Sequence, residues 1–171
     1  IESVAPGRDA SITDIGGGAS RLVDALVAGG FHDLTVLDLS EAALASARER
    51  IGARGEAVRW VADDATVWQP PQAFDIWHDR AAFHFLVEEK DRAAYLDRLH
   101  RGVKAGGHAV IGTFAPDGPE KCSGLPVRRY DSATLGRTIG PAFELIAHEA
   151  HRHVTPWGAT QSFQFNVLRR R

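Results

Sequence analysis

Two groups of residues in this chain have types and spacings suited to chemistry. The first begins at Asp14-Ile15-Gly16-Gly17-Gly18-Ala19-Ser20. Three consecutive glycines after a short apolar run suit a strand-to-helix turn, where a ligand can approach the backbone and meet free N–H groups. Asp38 stands 20 residues beyond Gly18, at the end of a second apolar run. An acid at that separation accepts hydrogen bonds from both hydroxyls of a bound ribose. A dinucleotide loop would place a further glycine three residues after Gly18, and Arg21 stands there instead. The pattern therefore suits a nucleoside and lacks the features that hold a diphosphate.

The second group is His78-Asp79-Arg80, with His84 just behind it. A positioned carboxylate or imidazole can take a proton from a reacting group, which makes Asp79 and His84 the candidate bases. The competing readings are a salt bridge from Asp79 to Arg80 or Arg92, and packing of His84 against Phe83 and Phe85. His148, His151 and His153 invite a metal reading. Strand parity places 151 and 153 on one face and 148 on the other, with no cysteine nearby, so no metal site is expected. Cys122, in a Gly- and Pro-containing loop, reads as incidental, and Trp157 as packing for a hairpin.

These residues need a scaffold that brings strand ends together. Ile12–Ile15, Leu34–Leu37, Ala57–Ala62, Phe74–Trp77 and His108–Phe114 read as strands. Between them, residues 19–28, the segment after the N-cap Ser40, and about 91–102 have helical periodicity. Residues 131–138 read as another short helix, and 115–130 as a long loop. Segments 143–154 and 161–168 alternate apolar and polar residues, as a half-buried hairpin does. The expected fold is a doubly wound, Rossmann-like α/β sandwich whose sheet is mostly parallel, with an antiparallel C-terminal strand. No repeat or linker divides the chain, so residues 1–171 are expected to form one domain.

Composition narrows the options. Of the 171 residues, 44% are hydrophobic and 25% charged, and the formal net charge is −2. That balance disfavours a nucleic-acid partner, which needs a concentrated basic surface. No apolar stretch is long enough to span a bilayer. A single cysteine, Cys122, excludes an internal disulfide and fits a cytoplasmic setting. The chain starts at Ile1 and contains no methionine, so a native N-terminal segment that acts as a lid is expected to precede it.

Together these motifs resemble the class I, S-adenosylmethionine-dependent methyltransferases over nearly the whole chain. The Asp14–Ser20 run resembles their first motif, with Ser20 in place of a frequent third glycine. Asp64-Ala65-Thr66 resembles the segment that contacts adenine. Pro71–Arg80 (PQAFDIWHDR) resembles the motif that borders cofactor and substrate, and Leu99–Gly107 the helix and turn before strand five. The resemblance implies that Asp14, Gly16, Gly17, Gly18, Asp38, Leu39, Asp63, Asp64, Ala65 and His78 bind S-adenosylmethionine. It also implies that Arg80 and His84 line the acceptor pocket, with Asp79 and His84 as catalytic candidates. Ile76–Ala81 (IWHDRA) is similar to thiopurine methyltransferase-like small-molecule enzymes, which points to a small-molecule acceptor carrying a thiol or other soft nucleophile. Two other readings stand beside it: a protein-lysine methyltransferase, and a non-catalytic adenosine-binding module.

Overall fold

The structure is a computed structural model describing residues 1–155 and 158–171. The packing role expected of Trp157 lies outside the described residues. A seven-stranded sheet forms the centre, in the order β3-β2-β1-β4-β5-β9-β8. Strands β1 (Ile12–Ile15), β2 (Leu34–Asp38), β3 (Arg59–Ala62), β4 (Phe74–Arg80) and β5 (Val103–Phe114) run parallel. β9 (Thr160–Arg170) runs antiparallel to β5, and β8 (Phe143–Val154) is antiparallel to β9. This is the α/β Rossmann-like architecture expected from the alternating pattern, with the reversed last strand.

Helices cover both faces because the parallel strands carry apolar side chains on both. α1 (Leu22–Ala28) and α2 (Glu41–Ile51) pack a core that contains Ile12, Val23, Leu26, Val36, Leu44 and Ile76. On the opposite face, Trp77, Tyr95, Leu99, Ile111, Leu135 and Leu168 form a second core beneath α3 (Glu89–Gly102) and α4 (Ser132–Ile139). Ser40 accepts from Ala43 N at 3.2 Å and Asp131 from Thr134 N at 2.6 Å, which starts α2 and α4 at fixed points.

Among the differences from the sequence reading, three have identifiable reasons. α1 begins at Leu22 rather than 19, because Ser20 N donates to Gly17 O and holds a turn there. β4 continues past Trp77 through His78-Asp79-Arg80, since β1 and β5 pair with it on both sides whatever its polarity. The loop 115–130 contains a short hairpin, β6 (Lys121–Cys122) and β7 (Leu125–Pro126).

Candidate active site

The carboxyl ends of β1, β2 and β3 open into a cleft of about 380 Å³. Ligands in open parallel sheets bind at this edge, where strand order reverses. Gly16, Asp38, Leu39, Asp63, Asp64 and Ala65 all line it. Asp38 is anchored: its two carboxylate oxygens accept from Gly18 N at 2.9 Å and Ser40 N at 2.8 Å. A carboxylate has about four acceptor positions, so each oxygen keeps one for a ligand hydroxyl. Asp64 caps its own turn by accepting from Thr66 N and Thr66 Oγ1, both at 2.8 Å.

The glycine loop works through shape rather than free N–H groups. Gly16 and Gly17 donate to Leu37 O, and Gly18 donates to Asp38. These three amides are therefore committed. What the glycines provide is closeness. Gly16 has φ +71°, and a Cβ there would lie 2.9 Å from Ala82 Cβ. A Cβ on Gly18 would lie 2.7 Å from the Asp38 carboxyl. The cleft lining contains three carboxylates, from Asp38, Asp63 and Asp64, and no Lys, Arg or His. Such a surface favours a cationic nucleoside and disfavours a diphosphate.

Four of the expected positions lie behind the cleft wall. Asp14 and His78 face each other across the β1–β4 pairing, with His78 Nδ1 2.7 Å from Asp14 Oδ1. Gly17 and Gly18 hold the loop over Asp14 and Asp38 without lining the cavity. The apolar wall comes from residues that the motifs do not single out: Leu37, Ala82, Phe85, Leu86 and Leu125. The Phe85-Leu86 pair after a polar strand end was the available sequence signal for part of that wall.

The two catalytic candidates are not at the cleft surface. Asp79 is fully buried and accepts from Tyr95 OH at 2.6 Å, Ala82 N at 2.9 Å and Phe83 N at 3.0 Å. Burial pushes its carboxyl up to about 6, although the Tyr95 hydroxyl and the two amides pull the other way. It pairs with neither Arg80 nor Arg92. Its carboxylate instead fixes the turn at 81–83, where Ala81 has φ +67°. His84 is also fully buried, with its ring 4.6 Å from Phe85 and 4.9 Å from Phe114. Neither ring nitrogen has a hydrogen-bond partner among the described residues, and burial lowers the imidazole to about 4. Neither side chain reaches the cleft, so the geometry does not support direct proton transfer by Asp79 or His84.

Arg80 lies apart from His84. It lines a second cavity of about 420 Å³ between β4 and the β8–β9 hairpin, and Ala81 borders both cavities. Glu149, His151 and His153 face this second cavity from β8. Among the described residues, no group of three or more His, Cys, Asp or Glu side chains could hold a metal ion. No helix among them is long and apolar enough to cross a membrane.

A family described as methyltransferase domain matches residues 12–107. No curated protein sequence matches the chain. Among solved structures, the N-methyltransferase NodS from Bradyrhizobium japonicum WM9 is similar, with TM-score 0.78 and 18% identity, covering 99% of this chain and 88% of that one. The 1,6-didemethyltoxoflavin-N1-methyltransferase of Burkholderia thailandensis, solved with its substrate and S-adenosylhomocysteine, has TM-score 0.73 and 23% identity, covering 96% and 72%. A TehB-like S-adenosylmethionine-dependent methyltransferase from Corynebacterium glutamicum ATCC 13032 has TM-score 0.70 and 24% identity, covering 99% and 84%.

Proposed function

We propose, from the premise that the chain belongs to the methyltransferase domain family, that it methylates a small molecule carrying a thiol or other soft nucleophile. S-adenosylmethionine is the methyl donor. The observation that carries the methyl-transfer part of this reading is the cleft lining: three carboxylates, an apolar wall and no basic side chain. When bound, the cofactor supplies an already electrophilic sulfonium methyl group. The chain's own residues then have mainly to position and shield. Asp38 holds the ribose hydroxyls with its two open acceptor positions, while Gly16 and Gly18 keep the wall thin. Asp63, Asp64 and Ala65 border the base. Asp14 and His78, paired behind the loop, fix its position. Asp79 is a positioning residue that sets the 81–83 turn between the two cavities.

Because transfer is a single displacement, alignment at near-attack distance can supply most of the rate. A thiol near its ordinary pKa of about 8.5 needs little help to ionise, which suits a site where Asp79 and His84 are both buried away from the cleft. Residues 1–171 are proposed to act as one methyltransferase domain, in a cytoplasmic setting and without a nucleic-acid partner. The test is methyl transfer from labelled S-adenosylmethionine to a panel of small thiols, amines and carboxylic acids, with whole-cell lysate alongside. Labelled small molecules with thiols foremost are expected. Labelling confined to protein bands would contradict the proposal.

A further inference from the structure

The second cavity has a built floor and walls. Across the sheet, Arg80 of β4, Gly112 of β5, Phe165 of β9 and Glu149 of β8 form one register row. Gly112 is the recess in that row. A Cβ there would lie 2.6 Å from the Phe165 ring, so only glycine lets the ring lie over β5. Phe163 continues the floor, with its ring 6.0 Å from that of Phe165 and only 22° from parallel. The histidines stand edge-on to this floor: His151 is 6.3 Å from Phe165 at 69°, and His153 is 6.4 Å from Phe163 at 84°. The result is a flat aromatic surface with polar sides.

Charge divides the two ends. The Arg80 guanidinium is exposed and makes no hydrogen bond or ion pair among the described residues. Its planar fork matches a carboxylate with two parallel hydrogen bonds. Glu149 does not neutralise it, because three strand spacings, about 14 Å, separate the two backbones. A ligand spanning the floor would meet a donor fork at one end and an acceptor carboxylate at the other. Ala81 borders this cavity and the cofactor cleft alike, so occupants of the two would meet over its small side chain.

We propose that this cavity holds the methyl acceptor and that the acceptor is a planar aromatic acid. Its ring lies on Phe163 and Phe165, and its carboxylate pairs with Arg80. This rests on the methyl-transfer reading of the neighbouring cleft and adds the ring and the acid to it; the soft nucleophile that takes the methyl is a further substituent of that ring. Gln161 and the two histidines offer hydrogen bonds to ring substituents, and Glu149 accepts from an N–H or O–H at the far edge.

The test uses the full chain saturated with S-adenosylhomocysteine and titrated with three probes. They are 2-naphthoate, its neutral analogue 2-naphthamide, and the saturated acid decalin-2-carboxylate. 2-Naphthoate is expected to bind about five-fold or more tightly than either of the others. Arg80→Gln should bring 2-naphthoate down to the affinity of 2-naphthamide and leave 2-naphthamide unchanged. Gly112→Ala, which must displace the Phe165 ring, should weaken both aromatic probes. Each variant is first checked for S-adenosylhomocysteine binding. If one fails that check, the wild-type comparison of the three probes decides alone. Equal affinity for the three probes, no binding of 2-naphthoate, or a preference that survives Arg80→Gln would overturn the proposal while leaving methyl transfer intact. Failure of the wild type to bind S-adenosylhomocysteine would overturn both.

Discussion

The cleft over β1–β3 and the cavity over β4, β5 and the hairpin meet at Ala81, yet they are assembled by different means. The polar side of the cleft is built from short-range features: a glycine turn, the carboxylate that caps it, and an Asp-Asp turn at the next strand end. The cavity is built from register, by side chains that come together only because β9 pairs antiparallel with β5 and β8 with β9. The first kind of site recognises a ligand common to many enzymes. The second is free to vary with the acceptor, since hairpin residues can change without touching the cofactor loop. Between them lies the 81–83 turn, held from behind by buried Asp79.

The sharpest way to break this division is to remove its hinge. Asp79→Ala strands the Tyr95 hydroxyl and the Ala82 and Phe83 amides in the core. The expected cost is about 3–5 kcal/mol in urea denaturation, because buried donors lose a charged acceptor. Asp79→Asn should recover part of it. An unchanged midpoint for Asp79→Ala would mean that the turn is held by other contacts.

A somewhat smaller effect should appear with pH. His84 is held neutral down to about 4, whereas in the unfolded chain it takes a proton near 6.5. Its contribution is therefore fully present above about 6.5 and is lost as pH falls towards 4, by about 3 kcal/mol. Asp79 has the opposite sign. Raised to about 6, it favours the fold at low pH, and that contribution is lost as pH rises from about 4 through 6. His84→Phe should remove the first slope and expose the second. Denaturation at pH 6.5 and pH 4 checks this: the variant should gain on wild type at the lower pH, and a constant difference would contradict it.

The cofactor side is sharpened by a milder change. Gly18→Ala places a Cβ against the Asp38 carboxyl and 2.9 Å from Ala43 Cβ. It should weaken S-adenosylhomocysteine about ten-fold, some 1.4 kcal/mol, with little loss of melting temperature. Equal affinity would show that the loop yields without moving Asp38.

The same contrast explains what could be read from the chain alone. Alternation of strands and helices, the glycine turn and Asp38 depend on neighbours within about 20 residues in sequence, and spacing reveals them. Asp79 and His84 read as candidate bases, with a salt bridge and aromatic packing as the alternatives, and spacing alone does not decide between them. Their burial depends on β4 extending to Arg80 and on Tyr95 and Phe114 arriving from distant segments. The alternating pattern of 149, 151 and 153 against 161, 163 and 165 marked a hairpin. Nothing local could show that Arg80 would stand opposite it, with Gly112 between.

Calorimetric titration with S-adenosylhomocysteine and with NADH, in wild type and in Asp38→Ala, tests the central claim most directly. Wild type should bind S-adenosylhomocysteine and not NADH, since a cleft lined with three carboxylates and no basic side chain repels a diphosphate. Asp38→Ala should lose about 2–4 kcal/mol of affinity for S-adenosylhomocysteine while remaining folded. Unchanged affinity in that variant, or micromolar binding of NADH by the wild type, would contradict the assignment of this cleft.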